Sequence, residues 1–295
     1  MWTEVKAYLG QPQPSDSVQD AGPELHSQVR RLEIRARQAM ESGLSGQYQS
    51  AFKGRGLEFE EVREYRFGDD VRTIAWNVTA RTGSLYVKRY REERDLTMLM
   101  LVDLSASTRS GSGVMTVHDL IAEVSSLFVL AGSRRDRVGA ILFDDDIRSM
   151  IPPRLGWRHG LRIVREMLGS APGGQGTAVA RAVRSAGRLL HRRGVVVLVV
   201  DRAAQLPRRE LVALSGRHDV VVVRVGDVLL EKGRAGTAIP VIDAESGRRG
   251  VLSGAPKISA IKAIPGVDVI ELSTGQDYLP AVQNMLETRE RRRVR

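Results

Sequence analysis

The chain has 295 residues, a formal net charge of +10 and no cysteine. That length builds one large domain or two ordinary ones, and the missing cysteine excludes disulfides, thiolate nucleophiles and Cys-bound zinc or iron–sulfur. No apolar run approaches the roughly 18 residues a membrane helix needs, and the start has neither the basic region nor the apolar core of a signal peptide, so the expected location is cytoplasmic.

Residues 1–24 are polar and rich in Gln, Ser, Pro and Asp, the composition of a disordered tail. Within them Trp2, Val5, Tyr8 and Leu9 would share one face of a short helix. From Leu25 to about Glu41, Val29, Leu32, Ala36 and Met40 recur at helical spacing, with Gly43 and Gly46 expected to end the helix. Gly54-Arg-Gly56 reads as a turn or close-packing signal. Leu57, Phe59, Val62 and Tyr65 alternate imperfectly with charges, which predicts short strands. Gly68-Asp69-Asp70 predicts a turn, and Ser84 to Arg91 an exposed strand. Residues 25–95 carry more charge and shorter apolar runs than residues 96–295. They are expected to form a small helix-plus-strands module packed on the main domain, 96–295.

From Thr97 the pattern alternates strand and helix. Strands are expected at Thr97 to Asp103, Val138 to Phe143, Ile147 to Ile151, Val195 to Val200, Val220 to Val225 and Val267 to Leu272. Asp144-Asp145-Asp146 reads as a hairpin turn, and Pro152 and Pro153 should break the strand after it. Helices are expected at Val114 to Ser133, Trp157 to Leu168, after Thr177 to about Leu190, Pro207 to Ser215, and over Leu279, Val282 and Leu286. Residues 227–256 form a polar excursion with a hairpin around Ser246-Gly247. Such alternation defines an α/β protein with a doubly wound, mostly parallel sheet.

Thr97 to Val102 is apolar on both faces, as a central strand covered by helices on either side must be. It runs into Asp103, Ser105 and Ser107, and in such sheets ligands bind beyond the carboxyl ends of the strands. One carboxylate and two hydroxyls are hard oxygen donors, suited to Mg²⁺ rather than zinc or copper. Thr177, near a helix start after a glycine loop, and Asp201, ending the Val195 to Val200 strand, are expected on the same edge. Singly, each is most simply a helix cap or loop residue; their coincidence is the signal.

The other features have bland readings. The three consecutive aspartates lack the spaced ligands of a calcium loop. The five histidines show no ligand spacing. Neither of the glycine loops at 110–113 and 173–176 is followed by the Lys-Ser or Lys-Thr of a phosphate-binding loop. The positive charge, densest over Arg289 to Arg295, admits a basic nucleic-acid-binding protein, although no RRM, zinc-finger or helix-turn-helix pattern accompanies it. An aspartate at a strand's carboxyl end also admits a metal-dependent phosphohydrolase. Against that, Ser105 stands where a second carboxylate is usual, and no Lys or His is placed by sequence to act as acid or base.

The five-residue constellation resembles the metal-ion-dependent adhesion site of von Willebrand factor A domains. That resemblance implies Mg²⁺, or Mn²⁺ in its place, held by Asp103, Ser105, Ser107, Thr177 and Asp201, with an open position for a partner's acidic residue. Gly56-Leu-Glu-Phe, Val62-Arg-Glu-Tyr, Gly68-Asp-Asp-Val-Arg-Thr-Ile, Trp76-Asn-Val-Thr-Ala-Arg and Val102-Asp-Leu-Ser-Ala-Ser, with Asp243-Ala-Glu-Ser-Gly and the closing Tyr278 to Arg292 helix, are similar to the family catalogued as domain of unknown function 58. The family implies a von Willebrand factor A-like fold and a non-enzymatic role beside a MoxR-type AAA+ ATPase, in chaperone-like maturation of other proteins. Two positions depart from it: Ala75 stands where Asp is usual, and Thr108 where Met is frequent.

Overall fold

The computed structural model describes residues 22–53, 57–92, 96–111, 115–174, 176–227, 238–242, 249–253 and 262–294. The expected tail up to residue 21, with its Trp2, Val5, Tyr8 and Leu9 face, lies outside them, as do Gly54-Arg-Gly56, Asp243-Ala-Glu-Ser-Gly and the Ser246-Gly247 turn.

The main sheet has six strands: β3 (Thr97–Asp103), β4 (Arg137–Phe143), β5 (Ile147–Arg154), β6 (Val195–Asp201), β7 (Asp219–Gly226) and β10 (Val267–Ser273), in the order β10-β7-β6-β3-β4-β5. All pairings are parallel except β4 with β5. The order reverses at β3: the chain leaves it towards β4 and returns to its other side at β6. That reversal opens a crevice between the carboxyl ends of β3 and β6.

Side chains alternate across β3 and sort into two cores. Met98, Met100 and Val102 join helices α1 (Pro23–Ala39), α2 (Ser45–Lys53), α4 (Val117–Gly132), α5 (Trp157–Gly169) and α8 (Leu279–Val294) on one face. Leu99 and Leu101 join α6 (Val179–Leu189) and α7 (Arg208–Ser215) on the other. The mixed α/β architecture with a mostly parallel sheet is therefore as expected.

Four local expectations are corrected. Gly43, at φ 105°, kinks the chain through a π-turn at Met40–Leu44 but does not end the helical segment, which resumes as α2. Pro152 and Pro153 do not break β5, because it is an edge strand whose outer side needs no donors. Gly139 opposite them carries no side chain because a Cβ there would lie 2.7 Å from the Ile151 carbonyl and 2.8 Å from the Pro153 nitrogen. Helix α4 starts at Val117, not Val114, because Thr116 and Asp119 close a reciprocal capping box. Residues 25–95 are not one module: Val29, Leu32, Ala36, Tyr48 and Phe52 lie in the main core with Met98 and Met100.

What stands apart is a smaller unit. Antiparallel β1 (Leu57–Glu64) and β2 (Tyr86–Glu92) flank a 3₁₀ turn (Val71–Thr73) and a short helix, α3 (Trp76–Thr82). Ala75 is the N-cap residue of α3 and makes no side-chain cap, so the aspartate usual in the family would there be a helix cap. A second antiparallel pair, β8 (Ala238–Ile242) and β9 (Arg249–Ser253), lies in the expected polar excursion.

The arginine-rich end is an internal clamp. Arg289 is only 5% exposed; its guanidinium bonds Asp219 and Asp268, at the starts of β7 and β10, and lies 4.9 Å over the Phe52 ring. Breaking such a buried pair strands the remaining charges, so Arg289→Ala is expected to cost about 3 kcal/mol in urea unfolding. Arg291→Ala, which removes a 3.6 Å contact with Glu287 on the helix surface, leaves the midpoint unchanged.

Candidate metal centre

The centre is built where β3 runs out. Asp103 is fully buried, and its cross-strand neighbour on β4 is Phe143. Asp103 Oδ1 accepts from the Ser105 backbone N–H at 2.9 Å, and Oδ2 from the Asp201 N–H of β6 at 3.4 Å. Asp201, also buried, accepts from the Ala203 N–H at 2.9 Å. The Ser107 hydroxyl bonds the Asp201 side chain and the Ser105 hydroxyl the Asp103 side chain, while the two hydroxyls lie 3.0 Å apart. Four of the five sequence-predicted residues thus form one hydrogen-bonded cluster.

Thr108 fixes the turn that presents the serines. Its N–H and hydroxyl both donate to the Ser105 carbonyl, at 3.1 and 2.7 Å, closing the 3₁₀ turn Ala106–Arg109. A methionine could supply only the first of these bonds.

Thr177 reaches the same edge through its loop and makes no hydrogen bond to the other four among the described residues. The Gly173 N–H donates to the Leu104 carbonyl at 2.9 Å, and Gly173 bridges to Ser105. At the other end, the Ala178 N–H donates to the Asp144 carbonyl. Half-buried Thr177 is therefore held beside the ends of β3 and β4.

The residues that hold this loop were missed in the sequence, where Asp144, Asp145 and Asp146 looked equivalent. They do form the expected β4–β5 turn, but only Asp144 is buried. Its carboxylate receives the Asp146 N–H at 3.1 Å and the Arg148 guanidinium. Arg148 also donates to the Ala171 carbonyl at 2.6 Å, and Arg109 to the Pro172 carbonyl. Gly174 sits at φ 77°, where a Cβ would meet Asp145 Oδ1 at 2.9 Å, so glycine is required there. The usable signal was an arginine four residues after a buried strand-end aspartate.

Electrostatically the cluster is a site short of positive charge. Burial pushes the Asp103 carboxyl up to about 6, against the hydrogen bonds from Ser105 and Asp201, and the Asp201 charge adds to the rise. Burial also raises Asp201, opposed by its bonds from Ala203 and Ser107 and by Arg224 and Arg202. Those two arginines are engaged elsewhere, Arg224 with Glu271 at 2.7 Å and Arg202 with the Leu272 carbonyl at 2.9 Å. Two carboxylates and two hydroxyls with no nitrogen or sulfur donor fit a hard cation that keeps part of its water shell. No group of three or more His, Cys, Asp or Glu that could hold a metal exists among the described residues, so a cation here must use the hydroxyls and water.

Fold and site together define a doubly wound α/β protein with an all-oxygen cluster at its topological switch point. The chain belongs to the family described as protein of unknown function DUF58, whose model matches residues 61–254. Uncharacterized proteins of Mycobacterium tuberculosis and Mycobacterium bovis are 28% identical over 289 residues, covering 91% of each chain. Among solved structures, the conserved hypothetical protein BatB from Bacteroides thetaiotaomicron is 14% identical with a TM-score of 0.46, covering 66% of this chain and 99% of its own. A von Willebrand factor type A protein from Catenulispora acidiphila is 12% identical with a TM-score of 0.35, covering 70% of this chain and 43% of its own.

The expectation of a cytoplasmic protein is corrected by these comparisons. An aerotolerance-related membrane protein from Bacteroides fragilis (15% identical, TM-score 0.44, 67% of this chain and 99% of its own) is also similar, as is a protein from Vibrio fischeri described as membrane-spanning. No helix among the described residues is long and apolar enough to cross a membrane. The missing apolar run therefore did not identify a compartment, and the cytoplasmic assignment is withdrawn.

With no cation, Asp103 destabilises the fold. Its folded pKa lies above the unfolded value, so the unfolded chain ionises first and stability is lost as pH rises from about 4 to about 6. The loss is on the order of 3 kcal/mol. Asp103→Asn keeps an acceptor for the Ser105 N–H without the charge, and is expected to raise the melting temperature in EDTA at pH 7 but not at pH 4.

Proposed function

We propose that this protein is a Mg²⁺-dependent protein-interaction module, without enzymatic activity of its own, working with a MoxR-type AAA+ ATPase in chaperone-like assembly or maturation of other proteins. The observation that carries this reading is the buried Asp103–Ser105–Ser107–Asp201 cluster at the switch point, with Thr177 on the loop beside it. When bound, Mg²⁺, or Mn²⁺ in its place, supplies an open coordination position for an acidic residue of a partner. Asp103, Ser105 and Ser107 would hold the cation at the end of β3 and in the turn after it, and Thr177 and Asp201 would hold it directly or through water. Only two carboxylates face it, so a bound dication is not overcompensated and a third carboxylate is attracted.

Two features favour this reading over phosphoryl transfer and over nucleic-acid binding. Among the described residues no Lys or His is bonded to Asp103 or Asp201, which leaves phosphoryl transfer without a general acid or base. Of the C-terminal arginines that suggested nucleic acid, Arg289 and Arg292 are bound to Asp219 and Asp268.

Addition of Mg²⁺ is expected to raise the melting temperature of the wild type and to leave Asp103→Ala unmoved. Arg148→Ala, which frees the glycine loop without touching the donors, is expected to weaken Mg²⁺ binding about tenfold by calorimetry, as loss of a ligand-orienting contact does. The functional test is association with the organism's MoxR-type ATPase, for wild type and Asp103→Ala, each in Mg²⁺ and in EDTA. Binding only by wild type in Mg²⁺ supports the reading; equal binding in all four samples removes the metal from it.

A further inference from the structure

Helix α5 carries arginines that nothing in the fold engages. Its buried residues, Gly160, Ile163, Val164 and Met167, face the core. Arg158, Arg162 and Arg165 follow one another at spacings of four and three residues. At 3.6 residues per turn they fall within about 60° of one another, directly opposite the buried four. All three are exposed, as is Arg154 in the lead-in to the helix, and none of the four makes an ion pair among the described residues.

Arg154 lies with the helical three. Burial lowers the pKa of the His159 ring, its bond to the Val138 carbonyl opposes this, and the charges of Arg162 and Arg154 lower it further. Both guanidinium groups therefore stand close to one ring. Residues 154–169 hold four arginines and one acid, a net charge of +3. That acid, Glu166, is turned to β5, where it accepts from the Ser149 hydroxyl at 3.4 Å. Helix α6 shows the contrast. It also carries several arginines, but Arg181 bonds Asp146 at 2.5 Å and Arg184 bonds Glu210 at 2.9 Å. The outer face of α5 is thus positive and unpartnered within the fold.

The side chains beside this face separate the anionic partners that suit it. Single-stranded nucleic acid stacks its bases on aromatic rings. Trp157, at the start of the helix, is closed to stacking: the Arg37 guanidinium lies 5.2 Å over its ring, and its N–H donates to Glu33 at 3.2 Å. A protein partner needs an apolar centre with charges at the rim, whereas here the charges occupy the centre. A bilayer needs neither. Its anionic lipids diffuse to match the arginines, and its interface accepts an aliphatic side chain beside them. Leu155, between Arg154 and Arg158, is 48% exposed and offers one.

We propose that the face formed by Arg154, Arg158, Arg162 and Arg165, with Leu155, rests on an anionic lipid bilayer as a peripheral contact. Four basic residues on an amphipathic helix are the low end of what such recognition uses, so the attachment is reversible and weakens with salt. The face looks away from the sheet, whereas the crevice between β3 and β6 opens at the strand ends. A chain resting on α5 keeps the metal centre clear of the lipid. The inference stands independently of the proposed metal-dependent function.

The test is sedimentation of the purified full chain with vesicles of mixed phosphatidylglycerol and phosphatidylcholine, or of phosphatidylcholine alone. It is run at low salt and in EDTA, so that Mg²⁺ bridges nothing. The variants are Arg158→Gln with Arg162→Gln, Leu155→Ser, and Arg192→Gln with Arg193→Gln, which removes equal charge from an exposed loop elsewhere. Circular dichroism establishes that each is folded. Wild type is expected to bind the anionic vesicles only. Losing Arg158 and Arg162 weakens partitioning about 30-fold, about fivefold for each arginine, while losing Arg192 and Arg193 changes it by about twofold or less. Leu155→Ser weakens it about fivefold. Three outcomes overturn the inference: no wild-type binding to anionic vesicles, equal weakening by the two double variants, which would make net charge rather than this face responsible, or displacement from vesicles by an oligonucleotide whose binding needs Arg158 and Arg162.

Discussion

A carboxylate at the end of a strand with no solvent on either face is the constraint around which this protein is arranged. Asp103 cannot be hydrated, so its two oxygens are met by backbone N–H groups from two segments distant in sequence, Ser105 on its own turn and Asp201 on β6. Both donors exist only if β3 and β6 lie side by side and end together. The reversal of strand order between β3 and β6 provides this: the connecting helices leave on opposite faces, and the crevice between the strand ends is left clear. Hydrogen bonding does not cancel the burial, which still raises the Asp103 pKa. The residual demand for positive charge is what the proposed cation would meet.

The chain's arginines are largely kept off that demand. Arg148 is held by Asp144, Arg224 by Glu271, and Arg202 by a carbonyl of β10, so the nearest guanidinium groups serve other partners. The same pattern recurs through the molecule. Arg35 bonds buried Glu123, which also accepts from Tyr278 at 3.2 Å and so ties α1 and the start of α8 to α4. Arg289 clamps α8 to the starts of β7 and β10. Part of the arginine content therefore fastens elements to one another. Composition alone, which suggested nucleic acid, cannot separate this use of arginine from the binding of a partner.

The central strands of the sheet were legible because they were buried on both faces and read as largely apolar runs, as in Val195 to Val200. Asp103 and Asp201 were legible for the same reason: a carboxylate that interrupts such a run marks the strand's end. The signal failed wherever structure came from contact rather than pattern. Helix α2 carries Gly46 and little apolar periodicity; Tyr48 and Phe52 hold it to the core. Strand β5 keeps its prolines because it is an edge, which only the final strand order reveals. Asp144 looked like its two neighbours because its distinction, an enclosed site beside the glycine loop, depends on residues about 30 positions away. The compartment was not legible either, since lacking a spanning helix places a chain nowhere in particular.

The sheet gives the molecule two ends with different chemistry. At the carboxyl ends of β3 and β6 the cluster is small, buried and acidic, and its geometry is set by backbone N–H groups that the two strand ends supply. At the amino ends of β7 and β10 a buried guanidinium, Arg289, is met by Asp219 and Asp268 and closes α8 over the sheet. One end leaves negative charge uncompensated and the other balances it within the fold. The strands between have both faces packed and deform little, so each end keeps its arrangement independently of the other.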